Sequence, residues 1–167
     1  MKDHIPIKRH QAIVTFSRDH HFGLLLVWKI RQGLKRAVNA ERISNYVLYY
    51  FQEDIEKHFK EEEAFLFSKL AVDDDLRLQA EQDHLAIYNQ VAAIRENKSN
   101  TVLLNQFADE LENHIRFEER KLFNHLQSQI ALSELEKIAK RFSNNGELIN
   151  EKWEDVFWLA SKPDAHL

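Results

Sequence analysis

Residues 58–70 read HFKEEEAFLFSKL, and residues 114–126 read HIRFEERKLFNHL. Both run His, then Glu at +4 and +5, then apolar residues at +8 and +9, then Leu at +12. Positions four apart share one face of a helix. Each copy therefore offers an imidazole and a carboxylate to the same neighbour. Two such helices face to face gather two His and two Glu, the donor inventory of a metal site.

Ligands on separate helices must stand at one height. With three Gly and two Pro in 167 residues, the chain is expected to be mostly helix. Residues 1–16 read as an irregular arm, and Ser17 reads as the N-cap of a helix over 18–37. Asn39-Ala40 breaks it, and helices over 41–71, 74–96 and 101–129 follow. The expected fold is all-α, an up-down-up-down four-helix bundle over residues 17–130. Ser133–Glu136 reads as a capping box opening a helix to Asn144, with Gly146 as C′ residue. A last helix over 147–161 carries Ile149, Trp153, Val156, Phe157 and Ala160 on one side. That side either packs on the bundle or makes a homodimer or partner surface. The two helices form an extension, residues 131–161, of one domain spanning 1–167.

In antiparallel helices joined by a short loop, residues at equal height are equidistant from the loop. His58 and Glu62 centre on Lys60, and His114 and Glu118 centre on Arg116. His84 completes the set: its midpoint with Lys60 is Val72, and its midpoint with Arg116 is Asn100. His20 and Lys60 average to Ala40. All three midpoints fall at expected turns, so His20, His58, Glu62, His84, His114 and Glu118 share one layer. At about 100° per residue, His20 lies opposite the polar stripe of its helix and His21 lies to the side. Gly23 faces inward and leaves space near the layer. Burying four imidazoles and two carboxylates without a cation would be costly, so a metal is expected.

The bulk properties narrow the function classes. A net charge of −4, with Lys and Arg scattered, argues against nucleic acid as partner. No cysteine means no disulfide, thiolate ligand, iron–sulfur cluster or thiol catalysis, and this suits a reducing, cytoplasmic setting. Met1–His10 has no apolar core, so no secretory leader is expected. The apolar run Phe22–Trp28 is too short to span a membrane.

The donors are N and O only. They are too many for one tetrahedral zinc and too nitrogen-rich for calcium or magnesium. They suit two first-row ions bridged by the carboxylates. With an oxo or hydroxo bridge added, about one position per metal stays open for O2, NO or peroxide. The Glu-x-x-His pattern of ferritin-like sites occurs only at Glu81–His84, which disfavours that class.

Asp19-His20, His58-x-x-x-Glu62-Glu63, Asp83-His84 and His114-x-x-x-Glu118-Glu119, with Leu-Phe after each Glu pair, resemble the hemerythrin-like HHE cation-binding domain family over residues 10–130. The resemblance implies a non-haem di-iron centre. His20, His58, His84 and His114 would be terminal ligands, with Glu62 and Glu118 as bridges. It implies binding of O2, NO or peroxide in sensing, storage or oxidative or nitrosative stress response. Alternatives are a di-iron enzyme for NO or peroxide reduction or iron-centre repair, and a helical interaction module with a structural metal. Mn or Zn suits the same donors.

The chain also departs from the family. Invertebrate oxygen-carrying hemerythrins have H-x-x-x-H on the third helix, but Tyr88 stands four residues after His84. Tyr88 is then a core residue or a donor to a bound oxygen species. Those proteins carry a carboxylate five residues after the last His, where Glu119 stands, but the parallel with Glu62 favours Glu118. Bacterial hemerythrin-like repair proteins usually add a cysteine-containing domain, which these residues lack. His10 is a candidate extra ligand, and His21 a neighbouring group. His4 and His166 are expected in exposed ends, and His125 about 10 Å along the helix from Glu118. Asp54 and Glu110, each four residues before a ligand His, are candidate acceptors behind the ligands or solvated charges.

Overall fold

The computed structural model describes residues 8–143 and 152–160. In it the first helix starts well before Ser17. α1 (Gln11–Lys35) is capped by His10, whose Nδ1 accepts from the Ala12 N–H at 3.1 Å. Ala12, Ile13 and Phe16 are buried, so the expected irregular arm is helical from Gln11 because it has an apolar face to cover. Ser17 therefore lies within the helix. α1 ends without a glycine: Ala37 adopts φ 55°, and the Val38 N–H bonds the Gly33 carbonyl at 3.0 Å. This is a Schellman closure with alanine in the left-handed position.

The second rod is α2 (Ala40–Tyr50), a π turn (Phe51–Ile55) and α3 (Glu56–Phe65). It stops short of the expected Ala71; a 3-10 turn, Phe67–Lys69, follows. α4 (Asp75–Glu96) is capped by Asp74, which accepts from the Leu76 and Arg77 N–H groups. The fourth rod is α5 (Thr101–Phe117), a π turn (Glu118–Leu122) and α6 (Phe123–Gln129). α7 (Leu132–Arg141) is capped at Ala131, so Ser133 sits in its first turn and caps nothing.

The expected last helix does not form at its described residues. Residues 152–160 carry no helix and lie along the rods as a strap. Phe157 and Trp158 are buried against Tyr46, and Trp153 lies on Tyr49 with centroids 4.9 Å apart. Two adjacent aromatics pointing inward defeat a single helical face, which explains the difference. Ile149, Gly146, His4 and His166 lie outside the described residues.

α1 lies against α5, α2 and α7, and α4 lies against α5 and α2. Two apolar clusters form. One contains Leu26, Ile55, Phe59, Ile87, Leu111 and Ile115; the other contains Phe16, Leu66, Ala80, Leu122 and Phe123. Among the described residues there is no strand, and no helix is long and apolar enough to cross a membrane.

Candidate metal centre

Between the two apolar clusters every rod contributes a polar residue. His20 stands between Phe16 and Leu26, Glu62 between Phe59 and Leu66, His84 between Ala80 and Ile87, and Glu118 between Ile115 and Leu122. His20, His58, Glu62, His84, His114 and Glu118 are all buried, the two carboxylates completely. The structure brings these six together in two groups that share both carboxylates. One is His20, His58, Glu62 and Glu118; the other is Glu62, His84, His114 and Glu118. Within each, the donor atoms lie within 4.8 Å of one another, close enough to hold a metal ion.

Each carboxylate is split between the groups. Glu62 Oε1 lies 2.6 Å from His58 Nε2 and 3.7 Å from His20 Nε2, while its Oε2 lies 3.2 Å from His84 Nε2. Glu118 Oε2 lies 2.9 Å from His20 Nε2, and its Oε1 lies 3.1 Å from His114 Nε2. One oxygen of each Glu thus faces each His pair, the arrangement a bridging carboxylate needs.

The far side of every ring is fixed. The Nδ1 atoms of His20, His58, His84 and His114 face Glu119, Asp19, Glu63 and Asp83 at 2.6, 2.9, 2.7 and 3.1 Å. A carboxylate at Nδ1 holds the proton there and leaves the Nε2 lone pair facing inward. His84 Nε2 and His114 Nε2 lie 3.1 Å apart, so without metal one must carry a proton toward the other, whereas a cation would let both present lone pairs. Both Glu62 oxygens, Glu118 Oε1 and His58 Nε2 are buried without an aligned hydrogen bond. Inward lone pairs and unpartnered buried carboxylate oxygens are what a pair of cations would satisfy. The residues present fit such a pair.

In the metal-free protein, protons compensate in part. Burial opposes charge on His58, but Glu62 and the bond to Asp19 push it up to about 10. His114 rises to about 9 against the same burial, through Glu118 and Asp83. Burial would raise Glu62, yet His58, His20 and His84 hold it well below the usual carboxylate range. Burial would also raise Glu119, but hydrogen bonds from His20, Ser17 and Arg9 bring it to about 2. Metal would have to displace the imidazole protons.

Other expected residues lie elsewhere. His21 is exposed and packs on Phe22, and His10 serves as the cap of α1. Tyr88 packs edge-on against Phe51 and Phe59. His125 Nε2 bonds Asp74 Oδ2 at 2.6 Å. Asp54 and Glu110 hold none of the four rings. Asp54 lines the cavity beside His20 and His58, and Glu110 lines a surface groove with Asp83. The acceptors are instead Asp19, Asp83 and the second Glu of each repeat. The signal for them was an Asp directly before a His on a neighbouring helix.

A cavity of about 20 Å³ adjoins the layer, lined by His20, Gly23, Asp54, His58, Leu111 and Ile115 among others. Such a volume holds one water-sized molecule. A Cβ on Gly23 would lie 2.8 Å from Ile115 Cδ1, so the glycine lets α1 and α5 approach there.

An all-helical frame with paired His and shared carboxylates at one level defines a buried cation-binding helical protein. Residues 12–126 match the model of the hemerythrin HHE cation-binding domain, and the chain belongs to that family. Comparison with curated proteins and with solved structures returns no match.

Proposed function

We propose that this chain is one hemerythrin-like domain, an up-down-up-down bundle at residues 11–129, holding two non-haem iron ions. His20 and His58 hold one ion, His84 and His114 the other, and Glu62 and Glu118 bridge them. The observation that carries this reading is the division of each buried carboxylate between two His pairs. Iron in this setting supplies reversible one-electron chemistry toward O2, NO or peroxide.

The chain's own residues favour a small ligand at the His20–His58 ion. The cavity lies against both of those rings, with His114 alone from the other pair on its wall, and its apolar walls include Ile55, Phe59, Leu111 and Ile115. Its size excludes anything much larger than a diatomic or peroxide. Asp19 and Glu119 hold the two rings and keep their Nε2 atoms inward. The docking alternative loses part of its surface, because Phe157 is turned inward.

Elemental analysis with an optical spectrum of anaerobically purified protein tests the reading. Two iron per chain, with new charge-transfer absorption on exposure to O2 or NO, supports it. Protein that takes up neither iron nor another first-row metal refutes it.

A further inference from the structure

Tyr46, Tyr50, Asp54, His58 and Glu62 stand at uniform four-residue spacing. In a regular helix four residues overshoot a turn by about 40°, so four such steps would drift by roughly 160°. The π turn at Phe51–Ile55 widens the helix between Tyr50 and His58 and takes up part of that drift. Tyr50 stands four residues before Asp54 on the same rod, near enough to hold the Asp54 carboxyl down against the rise from burial, and Asp54 lines the cavity beside His20 and His58. In the other direction the Tyr46 ring lies 5.9 Å from Tyr50 and 5.5 Å from Trp153. Trp153 is half-buried on the strap and reaches the surface.

We propose that Tyr50, Tyr46 and Trp153 form a one-electron relay between the metal pocket and the surface. The proposal rests on the two-metal reading above. Its oxidant is hydrogen peroxide reduced in the pocket: the O–O bond breaks, and two electrons and two solvent protons yield two waters. Each electron comes from Tyr50, whose phenolic O–H breaks as its proton passes to the Asp54 carboxylate. Trp153 then returns an electron across the Tyr46 ring, and Asp54 returns the proton, restoring Tyr50. The indole radical cation left at Trp153 is refilled by an external one-electron donor such as ascorbate.

The surroundings select the exit. The Lys29 ammonium donates to the Tyr46 hydroxyl at 2.8 Å and sits 3.9 Å over the Trp158 ring. A cation at those positions disfavours a second positive charge on either ring. Tyr46 therefore bridges without holding the hole, and Trp158 is bypassed.

Iron-loaded full-length protein is treated with peroxide, freeze-quenched for electron paramagnetic resonance, and digested for mass spectrometry. Without ascorbate, the expected result is oxidation at Trp153 above both Trp158 and the exposed Trp28. In Trp153→Phe a tyrosyl signal persists longer. In Tyr50→Phe, which keeps the ring, both the tyrosyl signal and Trp153 oxidation are lost while iron content is unchanged. Equal oxidation of the three tryptophans, or Trp153 oxidation undiminished in Tyr50→Phe, overturns the relay alone. A wild-type chain that binds no iron overturns the metal reading and the relay with it.

Discussion

Glu63 touches no proposed metal ion, yet removing it should weaken metal binding. Its Oε1 accepts from His84 Nδ1 at 2.7 Å and so keeps the His84 proton off Nε2. Without it the ring takes either tautomer, and one of them turns an N–H toward the metal. Loss of such an acceptor costs about 10–100-fold in affinity, or about 1.4–2.7 kcal/mol. Glu63→Ala should fall in that range. Glu63→Gln keeps an oxygen acceptor without the charge and should lie at the lower end. The ring itself stays in place, because it stacks on Phe59 with centroids 3.7 Å apart and planes 10° from parallel. The Glu63 side chain is also about half exposed, so the metal-free melting temperature should hardly move. Competition with a chromophoric chelator measures the affinity. Glu81→Ala is the control, since among the described residues Glu81 bonds only Arg77 of its own helix. Wild-type affinity in Glu63→Ala would refute the reasoning. So would a metal-free destabilisation as large as the affinity loss.

Gly23→Ala should cost about 1–3 kcal/mol in denaturant unfolding and slow ligand entry, because its Cβ meets Ile115 at 2.8 Å; unchanged values in both would mean that Ile115 swings aside. Ala37→Gly should stabilise by about 1 kcal/mol by relieving the left-handed alanine; a lower unfolding midpoint would contradict this. His20→Ala should lose more iron than His21→Ala, read by elemental analysis, since His21 faces solvent; the reverse order would dismantle the layer. Metal at one hundred times its Kd should add about 2.7 kcal/mol to stability; identical melts with and without metal would exclude binding selective for the folded chain.

Much of this site was legible because its residues obey simple spacing. The His-x-x-x-Glu repeat and the turn midpoints relied on helical rise alone, and the six donors stand between the same two clusters. The layer survived an error in the rods: the π turns at Phe51–Ile55 and Glu118–Leu122 were invisible to a uniform period. Their signature is the wide spacing of Tyr50, Asp54 and His58, which reads as ordinary polarity without coordinates. The start of α1 was missed because Ser17 looked like a cap, whereas it donates to Glu119 Oε1 at 2.7 Å. The last helix was misread because its period ignored Trp158, which is buried beside Phe157. Side-chain acceptors such as Asp83 depend on which rods are neighbours, and periodicity within one helix does not contain that.

The acceptors reveal how the two repeats are tied together. Asp19 holds His58 and Asp83 holds His114, each within its own half of the chain. Glu63 crosses to His84, and Glu119 crosses back to His20. Glu62 and Glu118 are likewise shared by both groups. Neither half therefore contains a complete set of donors or of the carboxylates that orient them. The site can assemble only when the halves dock, so metal affinity and docking are one linked equilibrium. The symmetry is broken at the outer edge, where Arg9 and Ser17 reinforce Glu119. Glu63, its counterpart, is the more exposed of the two. The His20 ring is thus more firmly held than the His84 ring, and His20, His58 and His114, but not His84, line the cavity. A ligand entering there meets the ring whose supports yield least, while loading and loss of metal should begin at His84.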